Sequence, residues 1–293
     1  MSKMVRAISD MGGVVISAID STDIVKRMEE IHKTSAVVSA ALGRMLTASQ
    51  LMASTLKSAS DTITLRIKAD GPIGLITVAC DGRGHCKGYV ENNVVEIPLR
   101  RDGKLDVGSA VGRNGQLYVV KDIGMKEPYV GSIPLESGEI AEDITAYYAY
   151  SEQIPTVCAL GVLVNPDLSI KCAGGYLLQL LPGATEEEIS LVENNIKNIP
   201  SITNFFESGH DVYDIINTVM DGFNPSILDE TDVKYQCDCS RERVKKALIS
   251  IGIKDLEMLR DEEDQIEMGC QYCDAKYYFT KNDLDNIIKS LKK

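Results

Sequence analysis

The chain has 293 residues, of which 44% are hydrophobic and 25% charged, an ordinary balance for a soluble globular protein and enough length for one large core with smaller units beside it. Its formal net charge of -12 repels phosphate backbones and argues against a nucleic-acid partner. No apolar run reaches the roughly 18 residues of a membrane span, and Met1 to Gly13 lacks the apolar stretch of a secretory signal, so a cytoplasmic location with reduced thiols is expected.

Val5 to Ile8 and Val14 to Ile19 are short apolar runs around Gly12-Gly13 and predict two strands and a turn. Ser21 or Thr22 is placed to cap a helix over Ile24 to His32, and Thr34 or Ser35 a longer one through Lys57. In the latter, Val38, Leu42, Met45, Leu46, Met52 and Leu56 keep a helical period, and its methionines read as core rather than as an exposed binding groove. Thr62 to Lys68 alternates at period two, as a half-buried strand does. Strands are also expected over Ile73 to Cys80, Cys86 to Val90, Leu117 to Ile123, Tyr129 to Ile133, Val157 to Val164 and Ser169 to Gln179. Gly138 to Tyr150 predicts a helix. Most connections are hairpin-like, so the first 182 residues read as an α+β domain with mainly antiparallel sheets.

Pro182-Gly183 closes that domain. Thr185-Glu-Glu-Glu188 is a capping-box pattern that opens a helix through Lys197, and Pro200, Gly209 and Pro225 cut the next stretch into short helices. Residues 183–230 carry ten Asp or Glu against one Lys, together with Phe205, Phe206 and Phe223. Short, self-repelling helices with a thin apolar stripe need a surface to dock on, and the three Phe are expected to face the N-terminal domain. The expected domains are therefore 1–182, an acidic helical linker at 183–230, and a small C-terminal unit at 231–293. In that last unit Ser240 caps a helix through Ile251, Asp255 to Arg260 is a short helix, Cys270 to Phe279 suits a metal-knuckle turn leading into a strand, and Thr280 caps a final helix through Leu291.

Eight cysteines are present, and four of them stand in two close pairs, Cys237-Asp-Cys239 and Cys270-Gln-Tyr-Cys273. Four thiolates so spaced match a tetrahedral zinc site, and soft sulfur ligands suit an ion with no redox chemistry of its own. Metal binding is worth about 10–16 kcal/mol in small zinc modules, more than so small a core supplies, so the metal is expected to hold the unit together. The same thiolates are what oxidants attack, and each has a neighbour able to resolve a sulfenic acid.

At these residues the chain resembles a known family, the redox-regulated heat-shock holdases called the 33 kDa chaperonin. The resemblance covers essentially the whole chain. It includes Cys237-Asp-Cys-Ser-Arg-Glu-Arg243, Cys270-Gln-Tyr-Cys273, His32-Lys-Thr-Ser35, Leu42-Gly-Arg44, Ala69-Asp-Gly-Pro-Ile-Gly74, Gly138-Glu-Ile-Ala-Glu-Asp143, Ser151-Glu-Gln153 and Ala173-Gly-Gly175. Lys87, before Gly88, is a local departure, since Arg would be expected there. The resemblance implies an N-terminal substrate-binding domain, a linker and a redox switch. It implies one zinc ion on Cys237, Cys239, Cys270 and Cys273 in an inactive reduced form. Oxidation would release zinc and form the disulfides Cys237–Cys239 and Cys270–Cys273. The active form would dimerise and hold unfolded client proteins without ATP, with no catalytic residue.

The remaining cysteines, Cys80, Cys86, Cys158 and Cys172, lie in strand patterns and read as core thiols. Weaker alternatives are a metal at His85-Cys86 with Cys80, and a Cys158 nucleophile paired with His32 or His210. Gly82, Gly84 and Gly88 precede no helix and read as a hairpin turn rather than a dinucleotide fingerprint. A nucleic-acid-binding zinc ribbon would need a basic excess that 231–293 lacks, and a thiol-disulfide oxidoreductase would need a thioredoxin-like unit that the strand order does not offer.

Overall fold

In the computed structural model, residues 2–197 and 199–291 are described, and they divide into two compact units, Met1–Gln236 and Cys237–Lys293.

The first unit opens with the hairpin β1 (Lys3–Ile8) and β2 (Val14–Asp20), followed by α1 (Thr22–His32) and α2 (Ala36–Ala53). Next come β3 (Thr62–Ala69), β4 (Ile76–Asp81), β5 (His85–Val90), a short α3 (Val107–Val111), β6 (Gly115–Asp122) and β7 (Tyr129–Pro134). Helix α4 (Ala141–Tyr147) runs into a π-helical turn, Tyr148–Glu152, before the long hairpin β8 (Thr156–Val164) and β9 (Ile170–Leu180). Three helices come after it, α5 (Glu186–Lys197), α6 (Ile202–Glu207) and α7 (Val212–Val219), and then two strands, β10 (Ser226–Asp232) and β11 (Lys234–Tyr235).

These strands form a five-stranded sheet, ordered β10-β1-β2-β9-β8, and a six-stranded sheet, ordered β11-β5-β4-β3-β6-β7. Every pairing in them is antiparallel except that of β11 with β5, so the α+β, mainly antiparallel expectation holds. Helix α2 is packed into the main core, and sixteen of its residues are buried. By length and composition alone α2 could cross a membrane, but its apolar surface, Met45 and Met52 included, is spent on that core.

A second core lies on the other side of the five-stranded sheet. Val5, Ala7, Val14, Ile16, Ala18, Tyr176 and Leu178 from the sheet pack against Val192, Ile202, Phe205, Ile215, Ile216, Val219 and Phe223 from the acidic segment. Phe205 and Phe223 are buried, and Phe206 is half-buried against the backbone of Gly174, where a Cβ would collide with its ring. Burial of an aromatic side chain is worth several kcal/mol on the usual area scale, which gives these short helices the docking surface they need.

Several boundaries differ from expectation for identifiable reasons. Helix α2 ends at Ala53 rather than Lys57 because Ser54 and Thr55 turn their hydroxyls back onto the carbonyls of Leu51 and Met52 at 2.7 and 3.0 Å. Neither Ser21 nor Ser35 caps with its side chain: Ser21 Oγ meets Thr47 at 2.7 Å and Ser35 Oγ donates to the Val95 carbonyl at 2.8 Å. Residues 226–235, expected to straddle the linker and the last unit, are strands on the two sheets of the first unit. The first compact unit runs to Gln236, so it takes in the segment 183–230 read from the sequence as a linker, and residues 231–236 of the stretch read as the start of the last unit.

The second unit holds α8 (Arg241–Ser250), α9 (Ile253–Glu262), the hairpin β12 (Gln265–Gly269) and β13 (Lys276–Thr280), and α10 (Lys281–Leu291). Its core is small. Among the described residues, only Leu248, Leu256, Ile266, Phe279, Leu284, Ile287 and Ile288 form the buried cluster.

Candidate metal centre

The four cysteines of the two close pairs come together at the head of the second unit. Cys237 and Cys239 lie on the extended lead-in to α8, whose first turn is capped by Ser240 Oγ accepting from Arg243 N at 3.3 Å. Cys270 and Cys273 lie in the turn between β12 and β13, and that turn is closed by Cys270 N donating to the Ala275 carbonyl at 3.0 Å. Arg243 pairs with Asp238 between the first two cysteines. Arg241 lies 4.3 Å from the ring centre of Phe279 and pairs with Asp283 at 3.0 Å, which fixes the start of α8 against β13 and α10.

All four Sγ atoms lie within 4.8 Å of one another, and each cysteine is half-buried and free. The separations are 3.7 Å for Cys237 to Cys270 and 3.4 Å for Cys239 to Cys273. Sulfurs at the corners of a tetrahedron around zinc, with Zn–S near 2.3 Å, stand about 3.8 Å apart. The donor set and its spacing therefore fit one tetrahedral ion.

The electrostatics of the cluster are uneven. Burial pushes the Cys237 thiol up to about 11, and burial likewise raises Cys273. Burial opposes ionisation of Cys239 too, but hydrogen bonds from Tyr277 Oη, at 3.1 Å, and from the neighbouring thiols outweigh it and lower its pKa. Tyr277, half-buried on β13, was not singled out by sequence. The one signal for it was its position four residues after Cys273 in a strand pattern.

The other cysteines fare differently. Cys80 and Cys86 are buried cross-strand partners, Cys172 is buried, and Cys158 is half-buried, with burial raising all four thiols and Cys158 to about 12. Among the described residues the only cluster suited to a metal is the four-cysteine one, and His85 faces Asp81 at 3.6 Å instead. His32 contacts Tyr235 Oη at 3.2 Å, and His210 stacks edge-on against Phe205 and pairs with Asp214 at 3.4 Å, so neither is a partner for Cys158. Gly82 and Gly84 form the turn between β4 and β5, as expected.

The family model described as Hsp33 protein matches residues 2–280. The 33 kDa chaperonin of Clostridium acetobutylicum is 45% identical over 291 residues, covering 99% of this chain and 98% of the relative. That of Clostridioides difficile is 45% identical over 288 residues, covering 98% and 99%. The crystal structure of the 33 kDa chaperonin from Thermotoga maritima matches with a TM-score of 0.91 at 34% identity over 99% of each chain. With a matching family model over nearly all its length and relatives this similar, the chain belongs to the Hsp33 family.

Proposed function

We propose that this protein is a redox-regulated, ATP-independent chaperone that holds unfolding proteins and keeps them from aggregating. The observation that carries the reading is the cluster of four half-buried sulfurs within 4.8 Å of one another in a unit with so small a core. Cys237, Cys239, Cys270 and Cys273 hold one zinc ion in the reduced, inactive form. When bound, zinc supplies a four-way crosslink between the lead-in to α8 and the β12–β13 turn. Hypochlorite, or peroxide with heat, then takes two electrons from each pair of thiols, so the protein acts under oxidative and heat stress. With peroxide, two thiols and one H2O2 give one disulfide and two waters. The bridges are Cys237–Cys239 and Cys270–Cys273, and their sulfurs no longer serve as thiolate ligands.

In this scheme 1–182 binds clients, 183–230 is the responsive linker and 231–293 is the switch. The linker helices carry a strong acidic excess, and their hold depends on a few apolar side chains such as Phe205 and Phe223. Loss of structure beyond Cys237 loosens them, and the apolar face of the five-stranded sheet becomes available to clients in the cytoplasm. The active form is a homodimer, and no nucleotide, nucleic acid or membrane takes part.

The test measures bound zinc, free thiols and suppression of aggregation of a denaturing protein, before and after peroxide treatment. Release of one zinc, loss of four thiols and a gain in suppression are expected together. Tryptic peptides should carry the two bridges within each close pair. Suppression by the reduced form equal to that of the oxidised form would overturn the reading.

A further inference from the structure

Residues 226–236 lie across the first unit as an extended strap that serves both sheets in turn. β10 pairs antiparallel with β1 from Lys3↔Asp232 to Ile8↔Ser226, and β11 pairs parallel with β5 through Lys234↔His85 and Tyr235↔Cys86. The crossing takes one residue, Val233, whose N–H donates to the Ser2 carbonyl at 3.1 Å. Gln236 N then donates to the Cys86 carbonyl at 2.8 Å, and the next residue is Cys237.

Little of this hold is side-chain burial. Six of the seven residues of β10 are exposed, and its ion pairs, Lys3 with Glu230 and Arg6 with Asp229, are partly solvated. Three side chains on one face of the strap make the exceptions, half-buried Thr231, buried Val233 and half-buried Tyr235, and the last two make the closer contacts. Val233 is buried in a notch over Gly84, where a Cβ on the glycine would come within 2.7 Å of it. Tyr235 Oη donates to the Gly88 carbonyl at 3.0 Å, accepts from Gly88 N at 3.3 Å and contacts His32 Nε2 at 3.2 Å.

We propose that the sheet edges beneath the strap, β1 and β5 with the Gly84 notch between them, form a docking site for an extended segment of an unfolded polypeptide, with the strap as its internal stand-in. This rests on the chaperone reading above. The molecule itself shows the occupant: an extended chain bound mainly through its backbone, with one aliphatic side chain in the notch and an aromatic one two residues on. Backbone pairing to a sheet edge is indifferent to most of the added sequence, which suits clients that share no motif. Lys3 and Arg6 favour segments that place acidic residues opposite β1. The strap ends at Gln236, so disorder at Cys237 removes its downstream anchor and frees the site.

The test uses the full-length, reduced chain carrying Val233→Asp and Tyr235→Ala, whose own strap no longer docks. A fluorescein-labelled peptide of sequence Ser-Ile-Leu-Asp-Glu-Thr-Asp-Val-Lys-Tyr-Gln is titrated by anisotropy. It is expected to bind this variant at least about tenfold more tightly than a peptide with the same two changes, and to slow amide exchange in Lys3–Ile8 and His85–Val90. A reduced, carboxymethylated unfolded protein is expected to displace it. Equal binding of the two peptides, or no displacement, overturns the proposal. Should the double variant fail to fold, Tyr235→Phe removes the hydroxyl contacts alone and must raise exchange in His85–Val90, and unchanged exchange overturns the proposal. Aggregation suppression by the unaltered oxidised chain is measured alongside. If suppression persists while the peptide is not displaced, the docking site falls and the chaperone reading stands. If suppression fails, the chaperone reading falls, and the site's role in client capture falls with it.

Discussion

Asp143 places a carboxylate in a fully buried position with no cation paired to it among the described residues. Its oxygens instead accept the backbone N–H groups of Glu136 at 2.7 Å, Ser137 at 3.0 Å, Gly138 at 3.3 Å and Ile140 at 2.9 Å. This ring of donors holds Ile140 at φ 74°, a conformation a β-branched residue rarely takes, and it delays the start of α4 to Ala141. It also gives Gly138-Glu-Ile-Ala-Glu-Asp143 a physical reason to exist as a motif. Charged hydrogen bonds are the strong ones, and deleting the acceptor strands four backbone donors, of which those of Gly138 and Ile140 are buried. Asp143→Ala should therefore destabilise the first unit by about 2–4 kcal/mol, read as a lower urea midpoint, and Asp143→Asn should recover only part of that. A midpoint unchanged in Asp143→Ala would show that the loop keeps its shape without the charge.

At the scale of elements, α5 docks through buried Val192 and, at its N-terminus, through one buried carboxylate, Glu188. Glu188 is 2% exposed and completes the capping box with Thr185, accepting from Thr185 N at 2.9 Å, while Glu188 N donates to Thr185 Oγ1 at 3.2 Å. The same side chain receives Ser9 Oγ at 3.3 Å and lies where a Cβ on Gly13 would collide with its oxygens. Gly13 thus leaves room for the carboxylate at the β1–β2 turn. Gly13→Ala should push Glu188 out and speed amide exchange in Glu186–Lys197 of the reduced protein about tenfold or more, with little change in Ala36–Ala53. Exchange in α5 as slow as in the unaltered chain would mean that this contact does not hold the helix.

The capping box was legible in the sequence because its residues act on their own helix. So was Thr62 to Lys68, whose alternation survives because one side of β3 is buried and the other wet. β10 left no such trace. Six of its seven side chains are exposed, so nothing in Ser-Ile-Leu-Asp-Glu-Thr-Asp alternates, and its place is set by the free edge of β1 far away in sequence. β12 did carry a period-two signal, in Ile266 and Met268, but five residues amid acidic neighbours are too few to separate a strand from a loop. The four sulfur positions were legible as spacing, whereas Tyr277 beside Cys239 depends on how β13 is laid down.

On the scale of the whole molecule, the two units differ in what holds them. The first has two large apolar clusters, one around α2 and one between the five-stranded sheet and α5–α7. The second has seven buried side chains among the described residues, many surface charges, and four sulfurs that bring its lead-in and its β12–β13 turn to one point. Apolar burial of that size comes close to cancelling against the entropy of ordering so short a chain. A bound ion contributing about 10 kcal/mol or more would decide the balance. Removing zinc with a chelator under reducing conditions should therefore melt α8 to α10 while the first unit keeps its cooperative unfolding. In amide exchange, Arg241–Leu291 should lose protection, whereas α2 and β3 should keep theirs. The comparison separates a metal-held fold from a metal that merely decorates one, because a self-sufficient second unit would retain slow exchange at Leu284 to Ile288 after chelation.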